Sequence, residues 1–166
     1  SLSHVPEFRN AHIARNMDMV HATVNHPSVV IWSLGNEAGP GDTFKDCYAA
    51  IKKYDQSRPV QYERNNDIVD MGSNQYPSIA WVQGAVKGNY NMKYPYHISE
   101  YAHSMGNAIG NLVDYWNAIE STNFFMGGAI WDWVDQAMEG TDAKTGQKFW
   151  GYGGDFGMDN KPNDGM

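Results

Sequence analysis

The chain of 166 residues is 42% hydrophobic and 19% charged, the composition of a globular protein able to bury one core in one domain. Twelve basic and 19 acidic side chains give a formal charge of -7 and a pI near 5.2, which argues against a nucleic-acid backbone or an anionic membrane as partner and favours an uncharged ligand. Cys47 is the one cysteine, so no disulfide framework or cysteine-based metal site is available, and no apolar run approaches the ~20 residues of a membrane span.

From Glu7 to Val24, the residues Ile13, Met17, Val20 and Val24 recur at helical spacing while Arg9, Arg15, Asn16 and Asp18 stay available to water, which predicts an amphipathic helix. Asn25-His26-Pro27 breaks it. The apolar run 28–34 (Ser28-Val29-Val30-Ile31-Trp32-Ser33-Leu34) predicts a strand buried on both faces. Beyond Gly35-Asn36-Glu37 and Gly39-Pro40-Gly41, a second helix carries Phe44, Cys47, Tyr48, Ile51 and Tyr54, with Asp42 or Thr43 as its cap and Cys47 as a core thiol. A turn at Ser57-Arg58-Pro59 leads to short strands over 60–62 and 68–72, then a helix from Ser78 to Val86. A strand over 96–100, a helix marked by Ile109, Leu112, Val113, Trp116 and Ile119, and a last strand over 128–132 complete the pattern, with a Gly-rich loop over 151–157. No basic-then-apolar leader opens the chain, and both ends read as cuts in a longer protein.

Strands alternating with helices imply right-handed βαβ units on a parallel sheet. The five strands fit an open doubly wound sheet or a piece of a (β/α)8 barrel, and periodicity does not choose between them. No GxGxxG follows the first strand, so a dinucleotide fold lacks support. Six Trp and ten Tyr gather toward the second half beside glycines and carboxylates, a setting suited to sugars, whose C–H faces pack on rings while their hydroxyls need polar partners.

Two acids share one local setting: Glu37 follows the first strand, and Glu100 ends the strand through Ile98. In a barrel the C-terminal strand ends converge on one face, where two carboxyls are the minimum equipment for cleaving a glycosidic bond. Glu37 stands on a turn between Gly35-Asn36 and Ala38-Gly39, and Glu100 is followed by Tyr101-Ala102-His103. No basic residue accompanies either motif in the sequence.

The segment Asn25-His26-Pro27-Ser28-Val29-Val30-Ile31-Trp32-Ser33-Leu34-Gly35-Asn36-Glu37 is similar to the acid/base signature of glycoside hydrolase family 2. Ser99-Glu100-Tyr101-Ala102-His103-Ser104-Met105-Gly106-Asn107 resembles the nucleophile segment of that family's large bacterial β-galactosidases, and blocks at 127–136 and 152–157 resemble two further segments in the expected order. The resemblance implies a TIM barrel, here a partial one covering about strands four to eight, with residues 1–166 as the C-terminal portion of the catalytic domain. It implies Glu37 as general acid/base, Glu100 as nucleophile, Asn36 near the sugar 2-hydroxyl, Tyr76 beside the nucleophile, His103 on galactose hydroxyls and Trp131 as an aromatic wall. Mg²⁺ is implied on Glu37 with its other ligands upstream of Ser1, and Na⁺ on residues beyond this chain. Carboxyls ~5.5 Å apart repel by about 3 kcal/mol at an effective dielectric near 20, enough to keep one of the two protonated.

The resemblance further implies a β-galactoside substrate, a homo-oligomeric parent enzyme of the bacterial cytoplasm with the periplasm also open, and little activity from these residues alone. Two alternatives stay open: another family 2 activity such as β-glucuronidase or β-mannosidase, and a non-catalytic carbohydrate-binding fragment.

Overall fold

A computed structural model describes residues 1–104, 108–134 and 136–156. They fall into two units, Ser1–Trp131 and Asp132–Met166. The first unit runs α1 (Arg9–Thr23), β1 (Trp32–Ser33), α2 (Thr43–Tyr54), β2 (Val60–Gln61), β3 (Gly72–Gln75), α3 (Ile79–Val86), β4 (Tyr96–Tyr101), α4 (Leu112–Glu120) and β5 (Phe125–Ile130). Every ladder in it is parallel, as the alternation of strand and helix predicts: β1 pairs with β2, and β3–β4–β5 form a second sheet. Among the described residues the strands do not close into a barrel.

Side chains bridge the step from β2 to β3. The Asp70 N–H donates to the Val60 carbonyl at 3.0 Å, and its carboxylate accepts the Val60 N–H at 2.9 Å and the Tyr48 hydroxyl at 2.7 Å. Asn66 accepts the Ser73 N–H at 2.8 Å and donates to the Ser73 carbonyl at 3.0 Å.

Two apolar clusters back the strands. One gathers Val20, Trp32, Leu34, Phe44, Cys47, Ile51, Val60, Tyr62 and Val69 between α1, α2 and the first two strands. The other joins Val82, Ala85, Tyr96, Ile98, Tyr101, Ala118, Ile119 and Phe125. Cys47 is the core thiol its helical spacing predicts, and burial pushes its pKa up to about 11.

Several local expectations are corrected. The run 28–34 enters a ladder only at Trp32–Ser33, because its partner β2 offers two residues; Val30 is 61% exposed, not buried on both faces. Asp42 takes the N-cap position of α2 as expected but makes no side-chain capping bond: its carboxylate pairs with Lys45 at 2.7 Å, and the Thr43 hydroxyl donates to the Ser3 carbonyl at 3.1 Å. The strand expected over 68–72 is a 3-10 turn at Asn66–Ile68 followed by β3 from Gly72. Gly72 starts the ladder because a Cβ there would lie 2.5 Å from the Tyr96 ring and 2.6 Å from the Lys93 carbonyl oxygen, so only glycine lets β3 and β4 approach. Ile109, at φ 107°, precedes α4 rather than belonging to it.

In the second unit β6 (Met138–Thr141) and β7 (Lys148–Gly151) make an antiparallel hairpin. The Asp142 carboxylate accepts the N–H groups of Lys144 and Thr145 in its turn, at 2.9 and 2.7 Å. The loop expected over 151–157 therefore begins with the end of a strand and continues as a 3-10 turn, Gly153–Phe156; Gly157 lies outside the described residues, as do Met105, Gly106, Asn107 and Asp135 of the other motifs. Among the described residues no helix is long and apolar enough to cross a membrane.

Candidate active site

Three strand ends carry backbone in the left-handed region that L-residues avoid: Glu37 (φ 51°) after β1, Tyr76 (φ 49°) after β3 and Ala102 (φ 57°) after β4. Each such residue costs about 1–2 kcal/mol, and strain of this kind persists only where surrounding contacts impose it.

At Glu37 the contacts come from the residues just past β2. The Glu37 N–H donates to Glu63 Oε1 at 2.9 Å, and the Glu63 side chain is 3% exposed. Arg64 places Nη2 3.4 Å from Glu37 Oε1 and Nε 3.5 Å from Glu63 Oε1. The Glu37 carboxyl is half exposed, so this pair is worth at most about 1 kcal/mol and orients the acid more than it stabilises the fold. Arg64 Nη2 also donates to Gln75 Oε1 at 3.1 Å, and Gln75 Nε2 donates to Asn36 Oδ1 at 3.3 Å. The ends of β1, β2 and β3 are thus tied by side chains.

Glu100 is re-aimed by a bulge in β4. Two residues of β4 span one step of β3 (Asn74 opposite Ile98, Gln75 opposite Glu100), and three span two steps of β5 (Ile98 opposite Gly128, Tyr101 opposite Ile130). Strict alternation after Ile98 would give the next core position to Glu100; the extra residue hands it to Tyr101, which is 1% exposed, and leaves Glu100 half-buried at the strand end. The Glu100 carbonyl accepts the Tyr76 N–H at 2.8 Å, and the Tyr76 and His103 rings meet edge to face at 6.2 Å. Trp131, just beyond β5, is anchored by its N–H on the Tyr101 carbonyl at 2.9 Å.

Of the residues singled out from the sequence, Asn36 and Glu37 thus share one hydrogen-bonded group, and Tyr76 is bonded to Glu100 through the backbone and meets His103 by a ring contact. The two groups are joined through Gln75, the ladder partner of Glu100. Trp131 is tied to β4 by its backbone N–H. Sequence reasoning missed Glu63, Arg64 and Gln75, and Arg64 corrects the expectation that no basic residue accompanies either acid. Its signal was position: Glu63-Arg64 follows a short strand as Asn36-Glu37 does. Among the described residues no three His, Cys, Asp or Glu side chains converge to hold a metal ion.

A family model, Glycosyl hydrolases family 2, TIM barrel domain, matches residues 1–165. A β-galactosidase of Photobacterium profundum is 39% identical over 94% of this chain and 16% of its own length. One from Priestia megaterium is 41% identical over 96% and 16%. Among solved structures, a β-galacturonidase from Eisenbergiella tayi bound to glycerol has a TM-score of 0.57 at 21% identity, over 76% of this chain and 29% of that one. A β-glucuronidase from an uncultured Clostridium sp. has a TM-score of 0.55 at 18% identity, over 74% and 29%. These last two likenesses are of fold. The chain spans 16% of the length of the curated relatives it matches. With the family model spanning all but its last residue, the chain belongs to glycoside hydrolase family 2, in that family's TIM barrel domain.

Proposed function

We propose that the protein containing this chain is a retaining β-galactosidase in which Glu37 is the general acid/base and Glu100 the nucleophile. The observation that carries this reading is the coupling of two acid-bearing strand ends, Glu37 after β1 and Glu100 on the bulge of β4, through Arg64 and Gln75. Glu37 gives its proton to the leaving oxygen while the Glu100 carboxylate attacks the anomeric carbon, forming a glycosyl-enzyme and releasing the alcohol. Glu37, now ionised, takes a proton from water, which displaces Glu100 and releases the sugar with its original configuration. Asn36 serves the sugar near its 2-hydroxyl, His103 binds other hydroxyls, Tyr76 stands beside the nucleophile and Trp131 forms a wall.

Strands β1 to β5 correspond in this reading to about strands four to eight of the family's barrel, in the C-terminal portion of the catalytic domain. A magnesium ion on Glu37 would take its other ligands from outside the described residues, as would sodium, and no step above is routed through either. Homo-oligomeric assembly belongs to the whole protein.

Arg64 favours a second reading, an acidic sugar, since a uronate carboxylate seeks a guanidinium and the two structural relatives described above are named as enzymes of uronic acids. Arg64 already faces Glu37, Glu63 and Gln75, which is why the neutral sugar is preferred here. A panel of nitrophenyl galactoside, glucuronide and galacturonide separates the two. The roles of the acids are tested by trapping with a 2-fluoro galactosyl substrate and mass spectrometry. The label is expected on Glu100, and a label on any other residue refutes the assignment.

A further inference from the structure

Asn36 has two faces to offer a sugar, an acceptor and a donor, and the side chains around it select one. Arg64 can only donate hydrogen bonds, so the Gln75 atom that faces it at 3.1 Å must be the oxygen. The other end of the Gln75 amide is then the NH₂ group, and the Asn36 atom 3.3 Å from it must be an acceptor, Oδ1. The Asn36 amide keeps its Nδ2 donor for another partner, on an exposed residue next to Glu37. Arg64 is itself paired with Glu37 at 3.4 Å and Glu63 at 3.5 Å, so the polarity of the row starts from a cation that can only donate.

We propose that Arg64 and Gln75 are positioning residues that set the hydrogen-bond polarity of Asn36, so that it presents a donor to the 2-hydroxyl of the sugar. The proposal rests on the galactosidase reading above. Gln75 is the hinge of the relay: it is the last residue of β3, its side chain holds the Asn36 amide and its backbone is the register partner of Glu100, the residue proposed as nucleophile. Neither Arg64 nor Gln75 needs to touch substrate to act in this way.

The test compares kcat/KM for a nitrophenyl β-galactoside with kcat/KM for its 2-deoxy counterpart, using the intact protein and its Gln75→Leu and Gln75→Glu variants. A leucine cannot orient Asn36. A glutamate keeps the size and the contact with Arg64 but offers Asn36 only acceptors, so the asparagine turns its NH₂ inward and withdraws the donor from the sugar. Both variants are expected to lower the ratio of the two constants about five-fold, the worth of one net hydrogen bond. Arg64→Met, at a side chain 43% exposed and off β3, carries the same expectation and replaces either variant should it fail to fold. A ratio that stays at the unmodified value, or two substrates slowed in equal proportion, overturns the relay. Turnover of neither substrate by the unmodified protein overturns the galactosidase reading and the relay with it; turnover with an unmoved ratio overturns the relay alone.

Discussion

Replacing Asp55 measures what holds β1 beneath the Glu37 turn. Its carboxylate is 7% exposed and accepts Trp32 Nε1 at 2.9 Å, Arg58 Nη1 at 2.8 Å and the Ser57 N–H at 2.8 Å. Arg58, 19% exposed, also donates to the Val29 and Val24 carbonyls at 2.7 and 2.8 Å and lies 5.2 Å over the Trp32 ring. Asp55→Ala therefore strands a mostly buried guanidinium and orphans an indole N–H. Removing one partner of a buried pair costs about 3–5 kcal/mol. Arg58 keeps its two carbonyl acceptors, which places the expected loss near the lower end, about 3 kcal/mol. Unfolding of the intact protein followed by tryptophan fluorescence reads this loss, and a change under about 1 kcal/mol would show that the clamp carries no weight. The pH dependence has a definite sign. The Ser57 hydroxyl, with Arg58 and Trp32 adding and burial opposing, holds the Asp55 carboxyl far below the usual carboxylate range. A depressed folded pKa gives stability that is complete above the unfolded value, about 3.9, and lost as pH falls toward the folded one. The gap between wild type and variant should be flat above about pH 5 and narrow below about pH 4. A gap that widens in acid contradicts the reasoning.

Two further changes probe the strand ends. Gly72→Ala would set a methyl against the Tyr96 ring and the Lys93 backbone and should cost about 1–3 kcal/mol by parting β3 from β4; an unchanged melting temperature speaks against this close approach. Glu37→Gln should slow galactosides of poor leaving groups by about 10²–10⁴ and activated aryl galactosides far less, with azide restoring turnover as galactosyl azide. Equal slowing across leaving groups would remove Glu37 from the acid/base role.

Local pattern decided much of this protein. Val20 of α1 and Phe44, Cys47 and Ile51 of α2 are buried where their spacing puts them, with Ile13, Met17, Val24 and Tyr48 packed against that core; Tyr54 is exposed and Asn16, expected in water, is buried. The alternation of helix and strand led to parallel ladders. Motifs that belong to one stretch of chain, such as Gly35-Asn36-Glu37 and Ser99-Glu100-Tyr101, sit at strand ends as read, and the family they resemble is the family the chain belongs to. The hairpin β6–β7 went unread because its eight residues are mostly exposed and lack an apolar alternation.

What the amino-acid order could not reveal were the features that depend on two distant segments at once. The start of β3 is set by how closely Gly72 meets Tyr96, not by the apolar character of Ile68 and Val69. The bulge that takes Glu100 out of the core parity exists only as a mismatch between β4 and both its neighbours. Arg64 and Gln75 read as ordinary polar residues until β2 and β3 are laid beside β1, because a hydrogen bond is decided by position within about 3 Å and not by sequence distance. The chain itself determined which acids, amides and rings are present and on which strand ends they fall; tertiary packing alone decided which of them meet, and with which polarity.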